Sequence, residues 1–278
     1  MTRIMGVVNV TPDSFSDGGL YLDAGRAIGH ATMLVREGAD LLDIGGESTR
    51  PGAHAVDAAE EAQRVVPVLE GLVGVGVPVS IDTTKASVAA AAIETGATIV
   101  NDISALRFDP DLLPLCAEKG VEVVLMHMQG TPRTMQEDPV YDDVVEDVKR
   151  FLAERIDAAI DGGIAESRIW VDPGIGFGKT IRHNLELLWR LGELSTLGRP
   201  IVVGTSRKSF LGRLTEREVD DRLGGTIASN VLAAEHGADV LRVHDVKPLR
   251  DALTVSAAVL ARRRWGTDER ITAGVNPL

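Results

Sequence analysis

The sequence predicts an α/β fold, a (β/α)8 TIM barrel in a single domain, on three observations. Eight short apolar runs alternate with stretches of helical length, as expected for parallel strands that helices cover on both faces. The 278 residues fit the roughly 250 that this barrel needs. Each run also ends in a polar or charged residue, and in this fold the active site lies where the strands end. The predicted strands span residues 4–9, 41–45, 79–82, 99–102, 121–127, 169–172, 201–206 and 240–244.

The stretches between the strands carry helix and loop signals in order. A Ser-, Asp- and Gly-rich loop at 11–21 precedes a helix at 23–37, which Gly38 ends. A second loop at 45–52 precedes a helix at 58–73, and Thr83 or Thr84 is expected to cap the Ala-rich helix that ends at Thr95. Further helices are predicted at 109–119, 142–161 and 248–264. Residues 129–141 contain two X-Pro pairs and should be irregular. We expect the barrel to occupy residues 1–264 and residues 265–278 to form a tail.

Composition narrows the classes of function. The net charge of −12 disfavours a nucleic-acid or membrane-surface partner, since either requires a basic footprint. Cys116 is the only cysteine, which rules out an intramolecular disulfide, and its place in a helical stretch indicates a packed thiol. No apolar run approaches the roughly 18 residues of a membrane span, and the N-terminus leads directly into the first strand. We therefore expect a cytoplasmic protein.

Eight motifs, in chain order, resemble those of the dihydropteroate synthase family. They are MGVVNVTPDSFSDGG at 5–19, DIGGESTRPG at 43–52, SIDT at 80–83, VNDI at 100–103, LMH at 125–127, DPGIGFGK at 172–179, SRKSF at 206–210 and RVHD at 242–245. Each motif alone is weak, but together they are specific, and the resemblance extends over residues 4–264. It implies a folate-pathway transferase that joins 6-hydroxymethyl-7,8-dihydropterin pyrophosphate to 4-aminobenzoate. The products would be 7,8-dihydropteroate and pyrophosphate, and sulfonamides are possible inhibitors. It also implies a homodimer, for which the sequence itself offers only apolar stretches such as 227–234 and 255–260.

A pterin presents hydrogen-bond donors and a carbonyl acceptor along one edge. Carboxylates and an amide oxygen accept from the donors, and an ammonium group donates to the carbonyl. The strand ends offer a matching set of four side chains: Asp82, Asn101, Asp172 and Lys208. The alternative interpretation is that such Asp and Asn residues cap neighbouring helices. Met126 either forms the floor of the pocket or belongs to the core, and Arg242 can stack on the flat ring.

The resemblance places the pyrophosphate at Asn9, Thr49, Arg242 and His244. Arg242 and His244 are two residues apart on one strand and should share a face. Asn9 is the expected contact to Mg²⁺, which retains waters and takes oxygens of the substrate phosphate as further ligands. The alternative for His244 is a hydrogen-bonded core histidine.

The resemblance places the aminobenzoate site on the two glycine-flanked loops and nearby strand ends. Its expected residues are Phe15, Thr49, Arg50, Pro51, Phe177, Lys208 and Ser209. Gly174, Gly176 and Gly178 lack the dinucleotide-binding spacing, and we interpret them as a loop that lets the backbone approach the ligand. The loops at 11–21 and 45–53 are either a lid or plain connections.

The sequence contains neither a Ser-His-Asp set nor a paired general acid and base. This favours dissociative displacement, with cations stabilising the departing pyrophosphate and carboxylates stabilising the pterin cation. The expected catalytic residues are Asp17, Arg50, Asp82, Lys208, Arg242 and His244. Three alternatives remain open: a pterin-dependent methyltransferase, a non-catalytic paralogue and a sulfonamide-insensitive version of the same enzyme.

Overall fold

A computed structural model describes residues 2–11, 20–48 and 55–264, and within these ranges strands and helices alternate. The strands are β1 (Arg3–Asn9), β2 (Leu41–Gly45), β3 (Val79–Asp82), β4 (Ile99–Asp102), β5 (Glu122–Met126), β6 (Ile169–Asp172), β7 (Val202–Val203) and β8 (Val240–Val243). The helices are α1 (Leu20–Arg36), α2 (Ala58–Gly71), α3 (Ala86–Glu94), α4 (Leu112–Lys119), α5 (Val144–Asp161), α6 (Ile181–Trp189), α7 (Ser209–Thr215), α8 (Leu223–Glu235) and α9 (Val246–Arg264).

The strands form one parallel sheet that closes on itself. Its order is β6-β5-β4-β3-β2-β1-β8-β7, and every ladder within it is parallel. A parallel bridge between Val171 of β6 and Ile201, just before β7, joins the two ends. The predicted (β/α)8 barrel is confirmed.

The barrel interior changes from apolar to polar along the strands. Near the start of the strands, seven inward-facing side chains form what we term the apolar plug: Met5, Leu41, Ile99, Val124, Trp170, Val202 and Val240. The alternate, outward-facing residues pack under the helices in the main aliphatic core, as the strand period of two requires. Above the plug the interior carries polar side chains, which lie toward the carboxyl ends of the strands.

Several local predictions differ from the structure. Neither Thr83 nor Thr84 caps α3, because Lys85 is the N-cap residue and makes no side-chain capping bond. Asp109, which lies 23 residues further along the chain, instead accepts a hydrogen bond from the Ala86 amide at 2.7 Å. β7 is also much shorter than predicted, since only Val202 and Val203 pair with β8. Cys116 is buried in the core, as expected.

No helix in the described ranges is long and apolar enough to span a membrane. The predicted tail at 265–278 lies outside those ranges, so the domain boundary at residue 264 stays a prediction.

Candidate active site

The ends of four adjacent strands form what we term the strand-end row. Strand pairing aligns Asn9 with Gly45, Gly45 with Asp82, and Asp82 with Asn101. Across the barrel, Met126 of β5 pairs with Asp172 of β6. The barrel therefore brings to one end residues that lie as far apart in the sequence as Asn9 and Asp172.

Arg242 is the centre of the charged network. Its Nε donates to Asp43 Oδ2 at 2.6 Å, and its Nη2 donates to Asp82 Oδ2 at 2.7 Å. Asn101 Nδ2 donates to the same Asp43 oxygen at 3.1 Å. Burial alone would lower the pKa of Arg242, but Asp43 and Asp82 outweigh burial and raise it. Arg242 is thus a permanent cation with one nitrogen, Nη1, that neither carboxylate engages.

Asp82 and Lys208 both titrate near neutrality. Burial raises the pKa of Asp82 to about 7 against the opposing charge of Arg242, and the nearby carboxylate of Asp43 raises it further. Burial lowers the pKa of Lys208 to about 8, although Asp172 opposes that shift. Each group is therefore close to the point where a small change in its surroundings alters its charge.

Asp172 and Lys208 face each other across the loop that follows β6. Asp172 Oδ1 accepts the Gly174 amide at 2.7 Å, and Lys208 Nζ donates to the carbonyl of Ile175. Burial raises the pKa of Asp172, whereas Lys208 opposes the shift. Lys208 Nζ also lies 4.8 Å from the centroid of the Phe177 ring. This loop thus adjoins both predicted pterin-binding groups.

The glycines of that loop are required by neighbouring protein atoms. A Cβ at Gly174, where φ is +67°, would lie 1.9 Å from the His127 carbonyl oxygen. One at Gly178, where φ is +61°, would lie 2.9 Å from Gln129 Cβ. Our interpretation that these glycines let the backbone approach the ligand therefore needs a correction at these two positions. At both positions the close neighbour is the segment that follows β5, namely His127 and Gln129.

Lys179 and His127 form a buried pair that the sequence analysis did not select. Lys179 Nζ contacts His127 Nδ1 and the Phe177 carbonyl, both at 2.9 Å. Burial lowers the pKa of Lys179 well below its usual value, and burial next to Lys179 also lowers that of His127. The neutral imidazole can therefore accept a hydrogen bond from the Lys179 amine. Lys179 belongs to the GFGK motif that the sequence analysis quoted. The motif does not indicate, however, that the Lys179 side chain is buried.

His244 follows directly after β8. Its Nδ1 is 3.0 Å from Ser206 Oγ, and its Nε2 is 3.5 Å from Asn9 Nδ2. Arg242 bonds to carboxylates, whereas these two contacts of His244 are to an amide and a hydroxyl group, and the shared role of the two residues at the pyrophosphate stays a prediction. In the described ranges no cluster of three or more His, Cys, Asp or Glu residues could hold a metal ion.

The remaining predicted residues fall into two groups. Met126 is buried with Ile103, Met128 and Met135, and Phe177 packs against them, which agrees with both interpretations of Met126. Ser209 begins α7, as expected. The other five lie outside the described residues: Phe15, Asp17, Thr49, Arg50 and Pro51. The geometry of the aminobenzoate loops is therefore untested.

Comparisons with known proteins show the family of this chain. A family model described as pterin binding enzyme matches residues 5–244. The dihydropteroate synthase of Escherichia coli strain K12 is 46% identical over 262 residues, covering 94% of this chain and 93% of the relative. A structure of Xanthomonas albilineans dihydropteroate synthase with 4-aminobenzoic acid has a TM-score of 0.88 at 52% identity, covering 94% of this chain and 93% of that one. The Yersinia pestis dihydropteroate synthase with a sulfonamide drug complex gives 0.89 at 45% identity, covering 94% of each chain. The chain therefore belongs to the dihydropteroate synthase family of pterin-binding enzymes.

Proposed function

We propose that this protein is a dihydropteroate synthase of folate biosynthesis. It condenses 6-hydroxymethyl-7,8-dihydropterin pyrophosphate with 4-aminobenzoate and releases 7,8-dihydropteroate and pyrophosphate. One observation carries the proposal: the barrel assembles Asp82, Asn101, Asp172 and Lys208 at one end, where their acceptors and donor complement a pterin edge.

The pterin lies against that set of side chains. Ionised Asp82 and Asp172 accept from the ring nitrogens, the Asn101 amide oxygen accepts from a further donor, and protonated Lys208 donates to the carbonyl. Arg242 stacks on the ring, and Met126 lies beneath it. Because Asn101 and Asp172 are each only 6% exposed, these bonds form away from water and discriminate strongly against mismatched ligands.

The pyrophosphate lies toward Asn9, Thr49, Arg242 and His244. The unengaged Nη1 of Arg242 is the guanidinium nitrogen available to it. Asn9 uses Nδ2 toward His244, which leaves its Oδ1 for Mg²⁺. A single amide oxygen fits an ion that keeps its waters and phosphate ligands. When bound, Mg²⁺ would neutralise charge on the leaving group.

The aminobenzoate occupies the space between Lys208, Phe177 and Ser209. The ring of Phe177 already lies beside the Lys208 ammonium group. The resemblance also assigns Phe15, Thr49, Arg50 and Pro51 to this pocket and Asp17 to catalysis, and these five residues lie outside the described ranges. Sulfonamides would compete for the same place.

The positions of these side chains favour dissociative displacement of the pyrophosphate. The C–O bond of the pterin methylene breaks, and its electron pair leaves with the pyrophosphate, which Arg242 and His244 stabilise. Asp82 and Asp172 stabilise the developing pterin cation. The aromatic amine then forms the C–N bond and loses its proton to water or to the departing pyrophosphate. Alignment of the two substrates supplies the acceleration that a general base would otherwise provide.

We also propose a homodimer. Large apolar side chains are exposed on α6, α8 and α9, and α8 contacts both of the other helices. They are Leu185, Trp189, Leu232, Val255 and Val259, of which Trp189 is 74% exposed. Such a patch marks an association surface and lies away from the strand ends. A cytoplasmic location, testable by cell fractionation, completes the proposal.

The experiment is product identification with purified protein. Both substrates and Mg²⁺ are supplied, and mass spectrometry follows 7,8-dihydropteroate over time. Omission of either substrate should abolish the product, and chelation of Mg²⁺ should reduce it strongly. Tight pterin binding without product would indicate a non-catalytic paralogue, and the proposal would then be wrong.

A further inference from the structure

Asp43 lies beneath the pocket, where a ligand above the strand ends cannot reach it. It is two residues before Gly45 of the strand-end row on β2, and two residues after Leu41 of the apolar plug. Because strand residues alternate, all three face the barrel interior. Its side chain is 0% exposed. Asp43 thus occupies the layer between the plug and the pocket.

Asp43 binds two of the side chains that line the pocket. Its Oδ2 accepts from Arg242 Nε at 2.6 Å and from Asn101 Nδ2 at 3.1 Å. The same oxygen accepts from the Arg242 guanidinium, so the Asn101 atom that faces it is the donating amide nitrogen. The amide oxygen is then the atom directed away from Asp43. A rotated amide would present N–H groups where the pterin also presents donors.

We propose that Asp43 is a positioning residue for pterin recognition, which fixes the plane of the Arg242 guanidinium and the amide orientation of Asn101. This inference rests on the proposed function. Both partners belong to the proposed pterin site, and Asp43 acts only through them. Its other oxygen, Oδ1, is buried without a hydrogen-bond partner among the described residues.

Asp102 provides a matched control. It is a buried aspartate in the same barrel, 1% exposed, at the end of β4. Its oxygens accept from Ser104 and Leu106 of the following turn, on the side away from the barrel interior. Asp102→Asn therefore makes the same chemical change at similar burial and removes no hydrogen bond to Arg242 or Asn101.

The test compares binding of 6-hydroxymethylpterin by calorimetry with steady-state kinetics. Asp43→Asn keeps the shape but brings N–H donors against Arg242 and Asn101. We expect pterin affinity to fall about tenfold or more, with a matching rise in KM for the pterin substrate and little change in KM for 4-aminobenzoate. Asp102→Asn should lower the melting temperature and leave pterin affinity within about threefold of wild type.

A double variant that exchanges the two residues, which we term the reversed pair, tests whether pterin binding is restored. In Asp43→Asn/Asn101→Asp the new amide donates to the new carboxylate. The hydrogen bond between positions 43 and 101 and the total charge of the wild-type pair are therefore restored. We expect this variant to bind the pterin at least about tenfold more tightly than Asn101→Asp alone. This comparison still holds if Asp43→Asn does not fold.

Two results would overturn the inference: equal loss of pterin affinity in Asp43→Asn and Asp102→Asn, or no gain in the reversed pair. Absence of dihydropteroate synthesis by the wild-type protein would instead refute the proposed function. The two failures are therefore distinguishable.

Discussion

At the scale of single residues, Asp172 is the most direct probe of the pterin pocket. Asp172→Asn replaces an acceptor with a group that adds N–H donors, and the mismatch should cost pterin binding about 2–3 kcal/mol. The amide oxygen can still accept from the Gly174 amide, so the melting temperature should change little. Calorimetry with a pterin ligand and thermal unfolding measure the two effects. Pterin affinity equal to that of wild type would exclude Asp172 from the site.

The pH dependence tests the charges of Asp82 and Lys208. The pterin needs Asp82 ionised and Lys208 protonated, and in the free protein their pKa values are about 7 and about 8. The kcat/KM for the pterin substrate, which reports the free enzyme, should rise as Asp82 loses its proton and fall as Lys208 loses its own. Initial rates between pH 5 and about 10 give the profile.

Lys208→Arg is the control for that profile. A guanidinium does not titrate in this range, so the alkaline limb should disappear whatever the absolute rate. An alkaline limb that persists in this variant would assign the ionisation to another group.

At the scale of elements, the loop after β6 depends on Gly174. A Cβ there would lie 1.9 Å from the His127 carbonyl oxygen at a φ of +67°. Gly174→Ala should therefore destabilise the protein by about 2–4 kcal/mol, as strain and displacement of the β5 end combine. Urea unfolding measures the loss.

Gly198→Ala is the matched substitution for Gly174→Ala. Gly198 has nearly the same φ, +66°, with nothing within 4 Å of an added Cβ. Gly198→Ala should lower the free energy of unfolding by about 1 kcal/mol. Equal losses at the two positions would show that the close approach contributes nothing.

The elements also show what the sequence could predict. Hydrophobic runs locate parallel strands because burial on both faces leaves a continuous apolar signature, and seven strand positions follow directly. β7 is the exception, since the chain stops pairing after Val203, where the predicted strand continued through Gly204, Thr205 and Ser206. Contacts between residues that are distant in sequence are harder to predict. Nothing local to Asp43 indicates that Arg242, 199 residues away, lies against it, or that Asp109 binds the start of α3.

At the scale of the whole molecule, the proposed dimer predicts a mass of twice 29.6 kDa in solution. Light scattering at micromolar concentration measures it. Trp189→Glu places a charge in the exposed patch on α6, so it should yield monomers while pterin affinity is kept. Trp189 is the last residue of α6, at the end of the helix opposite the one that follows the glycine loop. A wild-type protein that is already monomeric would exclude the dimer.

The central claim is that one cavity at the strand ends couples loss of pyrophosphate to capture of the aromatic amine. The most direct measurement follows pyrophosphate and 7,8-dihydropteroate together, with and without 4-aminobenzoate, in the presence of Mg²⁺. The proposed mechanism predicts equal amounts of the two products when 4-aminobenzoate is present, and much slower net pyrophosphate release when it is absent. Release of pyrophosphate at the same rate without 4-aminobenzoate, or without any dihydropteroate, would contradict it.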